Sequence, residues 1–261
     1  MFRNSFKNEI EQVKDEVLLL GSMTEQAIND AVRLFIIQQS PNQATQRNIK
    51  KIAQRYHVVK EKIIGLIATQ QPTAHDLRIL AASLEISAEL KRMGDYAREI
   101  VTSHMSSRDH DQDRLMDGME YMAREASGML YRAMVAYLNE DTNAVFAIAN
   151  HDNVVDALYQ QQYYELLDYV AKDPCHIENL NCILYVAHNL ERYADRVTNI
   201  CERILFMGTG QIREFVTPDE IMDLESAPID RTFRIHPLPG DETMDALTFK
   251  FNLSGSSPTS S

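Results

Sequence analysis

The chain has 261 residues, of which 44% are hydrophobic, enough for one large domain or two smaller ones with a substantial core. Its formal net charge of -12 excludes a general nucleic-acid binder, because such a protein needs a basic face against the phosphates. No apolar run reaches the ~18 residues of a membrane span. The charged N-terminus "MFRNSFKNEIEQ" is not a secretory signal, so we expect a cytoplasmic protein without a transmembrane segment. Cys175, Cys182 and Cys201 lack CxxC spacing and are predicted to be reduced thiols.

Apolar residues recur every three or four positions in the first part of the chain, a spacing typical of helices in a bundle. The residues on this track are Ile10, Val13, Val17, Leu20, Ala27, Ala31 and Leu34. A second helix is predicted from about residue 44 to 68 and a third from about residue 76 to 103, each after a short polar turn. Three helices joined by short loops indicate an antiparallel bundle.

The same order of three helices repeats in the second part of the chain. Met and Ala recur at heptad spacing in a helix around residues 119–136. The next helix is predicted from about residue 142 to 172 with Asp141 as its cap, and the last from about residue 179 to 207.

The third helices of the two halves align at an offset of 100 residues, so that Arg92 matches Arg192 and Asp95 matches Asp195. We therefore predict an all-α fold of two tandem antiparallel three-helix bundles followed by an irregular tail. The predicted boundaries are 1–108 for the first repeat, 109–213 for the second and 214–261 for the tail. In the tail we expect one extended segment, in or near "LTFKFNL", and a disordered end, "SGSSPTSS".

Acidic residues stand four positions apart on two consecutive helices of the second repeat. Glu191 and Asp195 share one helix face, and so do Asp152 and Asp156, which we place well inside the preceding helix. Like charges at this spacing cost roughly 0.2–0.5 kcal/mol per pair. Carboxylates brought together from two helices either take up protons or bind a cation. We therefore predict a metal site formed by these four carboxylates.

The alternative is an ordinary solvated face, on which Arg192 or Arg196 pairs with Glu191 and no metal is needed.

His188 precedes Glu191 by three residues and is a further candidate ligand, which would favour Fe, Mn or Zn over Mg or Ca. Alternatively, the His188 side chain is not a ligand and instead packs at the bundle seam or donates a hydrogen bond to Glu191. In the first repeat Lys91 stands in the place of Glu191, while Asp95 is retained as a candidate. An ion pair of Lys91 with Asp95 is predicted to replace the charge of a metal there, although an exposed pair without that role fits these two residues equally well.

Signatures of enzymes are missing from the sequence. It contains no Glu-x-x-His of the di-iron oxidases, no Walker A motif, no GxGxxG and no GxSxG. We therefore expect a protein that is not an enzyme. The alternative is a carboxylate-bridged metal hydrolase or oxidase housed in a helical bundle.

Three stretches, "QPTAHDLR", "AELKRMGDYA" and "NLERYADRVTNICERILFMGTG", resemble the PhoU family. The resemblance covers about residues 5–213 and implies tandem three-helix bundles with an E/D-xxx-D motif on two helices of each repeat. In the family these motifs hold iron or other divalent metals, and in the second repeat of this chain they correspond to Asp152, Asp156, Glu191 and Asp195. In the first repeat only Asp95 matches.

The resemblance also implies a function. It predicts a cytoplasmic, homodimeric adaptor that negatively regulates the phosphate ABC transporter and the phosphate-starvation response when phosphate is ample. The implied partners are the ATPase subunit of that transporter and a membrane sensor histidine kinase. The implied cofactor is a divalent or trivalent metal ion such as Fe, Mn, Zn or Mg. Carboxylate oxygens bind all of these ions, so the ligands alone do not identify the metal.

Overall fold

The computed structural model describes residues 2–103, 113–172 and 177–215, together with the short segments 232–234 and 248–250. Cys175 and the predicted disordered end "SGSSPTSS" lie outside these residues. Neither Cys182 nor Cys201 takes part in a disulfide.

Helices dominate the part of the chain that the structure describes. They are α1 (Phe2–Ile36), α2 (Gln43–Gln70), α3 (Ala74–Thr102), α4 (Asp113–Asn139), α5 (Ala144–Asn150), α6 (Asp152–Lys172) and α7 (Ile177–Thr209). The predicted helices are confirmed, except that the second helix of the second repeat is divided into α5 and α6.

The division of this helix makes Asp152 the first residue of α6, and its placement well inside a single helix was wrong. The backbone N–H of His151 donates to the carbonyl of Ile148 at 3.1 Å, a tighter turn than the α-helical one. Asn153 Nδ2 donates to the carbonyl of Asn150 at 3.0 Å and so competes with the helical hydrogen-bond pattern. The interruption is therefore local, and a side-chain hydrogen bond to the backbone accompanies it.

The carboxylate of Asp141 caps the start of α5. Its Oδ1 accepts hydrogen bonds from the backbone N–H groups of Asn143 at 3.0 Å and Ala144 at 3.2 Å. Two donors that a helix start leaves without partners are thereby satisfied. Asp141 thus bonds to the start of the helix as predicted, but the helix begins two residues later and its N-cap position is held by Asn143.

The two repeats share one hydrophobic core, within the compact unit Met1–Phe215. Helices α1 and α3 pack against α4 and α7, while α2 lies outside on α1 and α3 and α6 lies outside on α4 and α7. Leu90 and Leu190, which occupy equivalent positions, are both completely buried. A hydrogen bond of 2.6 Å between the hydroxyls of Ser83 and Tyr137 joins α3 to α4 inside this core.

The second unit, Val216–Ser261, contains two short strands among the residues described. Strand β1 (Thr232–Arg234) pairs with β2 (Thr248–Lys250) in antiparallel orientation, with Phe233 opposite Phe249. Strand β2 lies within the alternating stretch "LTFKFNL", and the described residues of this unit contain two extended segments where one was expected. Among the described helices of the chain, none combines the length and the apolar character that crossing a bilayer requires.

Leu90→Ala and Leu190→Ala are each expected to lower the free energy of unfolding by about 2–5 kcal/mol, because each leaves a cavity in a close-packed core. Unfolding of both variants should remain a single transition, since the repeats share that core. Urea unfolding followed by circular dichroism tests this. Leu138→Ala, at a side chain that is 47% exposed, serves as the control and should change stability by less than about 0.5 kcal/mol. Two separate transitions would contradict a shared core.

Candidate functional site

The four predicted acidic residues lie together where α6 packs against α7. Helix α6 supplies Asp152 from its first turn and Asp156 from the next, and α7 supplies Glu191 and Asp195. Their negative charges act on one another, since the ionisation of Glu191 is opposed by the other three carboxylates as well as by burial. We refer to these four residues as the carboxylate cluster.

Asp152 is the buried member of the cluster, with 4% of its surface exposed. Its Oδ2 accepts a hydrogen bond from Thr198 Oγ1 at 3.1 Å, and its Oδ1 has no hydrogen-bond donor. Burial, followed by the charges of Asp156 and Asp195, raises the pKa of Asp152 to about 7, although the Thr198 hydrogen bond lowers it. At neutral pH this carboxyl group is therefore divided between its protonated and ionised forms.

Glu191 on α7 resembles Asp152 in its raised pKa and in having an oxygen without a hydrogen-bond donor. Burial, followed by the charges of Asp195, Asp156 and Asp152, raises its pKa to about 7. Its Oε2 is buried without a hydrogen-bond donor. One carboxylate on each helix thus presents an oxygen that nothing within the described residues satisfies.

The two arginines that would satisfy Glu191 on a solvated face are engaged with α3. The guanidinium of Arg192 lies over the ring of Tyr96, 4.7 Å from its centroid. Arg196 NH1 lies 3.7 Å from Glu89 Oε2. Arg192 still lowers the pKa of Glu191, as the weakest of the influences on it. The geometry therefore favours an electrostatically strained cluster over the solvated face.

His188 lies beside Glu191, as its spacing predicted. Its Nδ1 is 3.2 Å from Glu191 Oε2, but not in hydrogen-bonding geometry, so the close approach leaves that oxygen unsatisfied. The side chain is 48% exposed, and its ring centroid is 6.0 Å from that of Tyr159 on α6. The imidazole therefore lies at the solvent side of the cluster and not packed in the bundle seam.

Sequence reasoning missed three residues near the cluster. Thr198 continues the track of +3 and +4 steps that joins His188 to the acidic residues of α7, and extending that track would have found it. Tyr159 follows Asp156 by three residues and Cys201 follows Thr198 by three, so extending the same tracks would have found both. Burial raises the pKa of both, followed by the charge of Glu191 for the tyrosine and of Asp152 for the cysteine. Both side chains therefore border the cluster.

The donor set suits a hard cation, because carboxylate oxygens are the ligands that such ions prefer. Within the described part of the chain, however, no three His, Cys, Asp or Glu side chains already converge on one ion position. The two observations are compatible, since charges act over longer distances than the ~2.0–2.6 Å of a metal–oxygen bond. Metal binding accordingly stays a prediction, supported by the electrostatics and by the unsatisfied oxygens of Asp152 and Glu191.

The equivalent place in the first repeat holds a network of ion pairs. Lys91 Nζ donates to Asp95 Oδ2, and Arg98 NH2 lies 3.1 Å from Asp95 Oδ1. The predicted pair of Lys91 and Asp95 is confirmed. Asp95 thus contacts two cations, whereas its counterpart Asp195 lies among other carboxylates.

Comparison with known proteins identifies relatives along most of the chain. A family model described as the PhoU domain matches twice, at residues 17–103 and 119–204. PhoU accessory proteins of phosphate-specific transport from Clostridium acetobutylicum and Escherichia coli are each 30% identical, over 81% and 83% of this chain and 97% and 90% of theirs. The homologue from Caulobacter vibrioides is 32% identical over 79% of this chain and 91% of its own. These relatives are named as accessory proteins and not as enzymes, in agreement with the prediction that this chain is not an enzyme.

Solved structures have the same architecture. The crystal structure of PhoU from Pseudomonas aeruginosa superposes with a TM-score of 0.67 at 26% identity, covering 79% of this chain and all (100%) of that one. The regulatory protein PhoU from Streptococcus pneumoniae superposes with a TM-score of 0.71 at 23% identity, covering 80% and 100%. The predicted all-α fold of tandem bundles is confirmed.

In protein freed of metal by a chelator, Asp152→Asn is expected to raise the free energy of unfolding at about pH 8, by on the order of 1 kcal/mol. A raised pKa means that the folded state binds the proton more tightly than the unfolded chain does. Stability is therefore lost as pH rises from about 4 through the folded pKa of about 7. The stabilisation should shrink at about pH 5, where the aspartate is protonated in the folded state.

Urea unfolding at both pH values measures this difference. Asp168→Asn is the control, because its side chain on the same helix is 67% exposed and pairs only with Lys172 among the described residues. An Asp152→Asn variant that is equally destabilised at both pH values would show that ionised Asp152 does not strain the fold.

Proposed function

Because the chain belongs to the PhoU family, we propose that it is a regulatory accessory protein of phosphate uptake that binds a metal ion at its carboxylate cluster. It acts in the cytoplasm as a homodimer and restrains both transport and the phosphate-starvation response when phosphate is ample. Its partners in this role are the ATPase subunit of the phosphate ABC transporter and a membrane sensor histidine kinase.

The observation that carries the metal site is the pair of buried, unsatisfied oxygens, Asp152 Oδ1 and Glu191 Oε2, on two helices whose four carboxylates oppose one another's ionisation. A bound cation would add positive charge to a cluster in which Arg192 is only the weakest influence on Glu191. The residues that would hold it are Asp152, Asp156, Glu191 and Asp195, with His188 as the candidate nitrogen ligand at the solvent side.

Helix α6 combines polar and apolar contacts with its neighbours. Its fully buried residues are Asp152, Val155, Gln162 and Leu166. The partly buried apolar side chains Leu158, Tyr159, Tyr169 and Val170 also pack against the core. The carboxylate cluster lies at the same contact, so its charge state contributes to how α6 packs against α7. A metal here would link the two helices and needs no catalytic role.

Replacing Glu191 and Asp195 together by Ala is expected to abolish metal binding, since it removes both α7 ligands. Asp95→Ala should leave metal binding unchanged, because Lys91 and Arg98 already supply the cations at that position. Elemental analysis of protein purified without a chelator and calorimetric titration with Mn²⁺ measure the two outcomes. Loss of metal in the Asp95 variant would show that the first repeat also binds metal.

His188→Gln serves as a second comparison in the same titration. If His188 is a ligand, the wild type binds Mn²⁺ more tightly than the variant at about pH 7.5, and the difference vanishes at about pH 5.5, where the imidazole is protonated. Equal affinities at about pH 7.5 would remove His188 from the ligands. Metal affinity of both proteins should fall below about pH 7, since the cluster must release protons to bind.

Deleting the gene for this chain in its own host is expected to switch on phosphate-starvation genes in phosphate-rich medium, several-fold, because the restraint is lost. The wild-type chain and the Asp95→Ala variant should restore repression, whereas the Glu191→Ala, Asp195→Ala variant should not. A starvation-induced phosphatase reporter and uptake of labelled phosphate measure this. An unchanged reporter after deletion would contradict the regulatory role, and full rescue by the double variant would separate that role from the metal.

A further inference from the structure

Helix α2 is strongly basic in an acidic protein. It carries six Lys or Arg residues and one Glu, a net charge of +5, whereas α6, its equivalent in the second repeat, carries four Asp or Glu and one Lys, a net charge of -3. Both helices lie on the outside of their own repeat. The fold therefore does not demand positive charge at this position, and another cause is needed.

The cations of α2 repel one another without internal compensation. Arg47 and Lys51 stand four residues apart, as do Lys51 and Arg55, and like charges at this spacing are destabilising. Among the described residues, α2 forms an ion pair through Arg55, whose NH2 lies 2.9 Å from Glu16 Oε2 on α1. Arg47, Lys50 and Lys51 are exposed. The surface thus offers positive charge to something outside the chain.

A groove of about 290 Å³ lies between α1 and α2 beside these cations. Leu19, Met23 and Ile49 contribute apolar side chains to it, and Lys51 and Arg55 line its cationic side. Leu19 is 44% exposed and therefore accessible to a partner at this groove.

Asp30 is the acidic residue among those that line the groove, and it already pairs with Arg33 at 3.1 Å. The groove therefore combines an apolar floor with a cationic edge, and the neutral polar residues Gln26, Thr45 and Asn48 also contribute to its lining.

We propose that α2 and the α1–α2 groove form a docking surface for an acidic amphipathic helix of a protein partner. Apolar side chains of that helix at i, i+3 and i+4 spacing fill the groove over Leu19, Met23 and Ile49. Its carboxylates meet Arg47, Lys50 and Lys51 along the edge. This charge complementarity fixes the orientation of the bound helix and speeds its association.

An extended polyanion fits this surface poorly. The whole chain has a net charge of -12 and α2 one of +5, which leaves -17 for the rest. A nucleic acid or an anionic membrane extends beyond α2 and meets that negative charge, whereas a short helix confined to the groove does not. A nucleic acid also gains nothing from an apolar floor.

A second copy of this chain is also a poor occupant. Its acidic helix α6 has few carboxylates to offer, because Asp168 already pairs with Lys172 and Glu165 with Arg114 at 3.0 Å. The observations therefore favour a partner of different sequence.

The test uses the full chain and a fluorescent peptide of about 15 residues with Leu at i, i+3, i+4 and i+7 and Glu elsewhere. Fluorescence anisotropy should show saturable binding that weakens between about 50 mM and about 200 mM NaCl. Lys50→Glu with Lys51→Glu should weaken it by about tenfold or more. Leu19→Asp should weaken it as well, and circular dichroism checks that both variants fold. Arg114→Glu with Lys172→Glu, a reversal of equal size on the second repeat, is the matched control and should bind like the wild type.

Several outcomes would overturn the proposal. The first is that the wild type and the α2 variant bind the peptide with equal affinity. The second is that a peptide of the same composition in scrambled order binds equally well. The third is that the chain binds anionic phosphatidylglycerol vesicles but not the peptide. Self-association of the wild type that the α2 variant loses, measured by sedimentation, would assign the surface to a second copy instead. The Glu191→Ala, Asp195→Ala variant should bind the peptide normally. Loss of binding there would place the peptide on the second repeat.

Discussion

Repulsion between carboxylates at the contact of α6 and α7 is the constraint on which the second repeat depends. Asp152 is buried at this contact, and one of its oxygens has no hydrogen-bond donor. Buried Val155 and Leu166 and several partly buried apolar side chains of α6 pack in the core and offset part of this cost. Burial and the neighbouring carboxylates raise the pKa of Asp152 to about 7, so at neutral pH a bound proton relieves part of the repulsion.

The first repeat meets the same constraint in another way. Lys91 stands where the second repeat has Glu191, and together with Arg98 it neutralises Asp95 within the chain. The equivalent sites have thus diverged, since one pairs Asp95 with two cations and the other brings four carboxylates to one helix contact. The outer helices diverged in the same sense, since α2 is basic and α6 is acidic. A duplicated fold with opposite charges on equivalent helices presents two chemically different surfaces on one rigid core.

The periodicity of apolar residues predicted the helices and the repeat because core packing follows local spacing. The same spacing identified the acidic pairs and the position of His188. It did not predict the break at His151, where Asn153 donates to the backbone and His151 Nε2 lies 2.8 Å from Glu125 Oε2 of α4. Nor did it show that Arg196 turns towards Glu89. That contact depends on how α3 and α7 are aligned, which spacing along one helix does not contain.

With pKa values near 7, Asp152 and Glu191 still hold protons part of the time around neutral pH. A cation that binds must displace protons, so its affinity and the pH are linked in the range in which most cells operate. The outer surface of α6 exposes Tyr164 by 68% and Leu167 by 48%. If the cluster binds a cation as proposed, one helix connects the charge balance at its inner face to exposed side chains at its outer face. A partner that contacts these side chains would then detect whether the cluster is filled, without touching the metal.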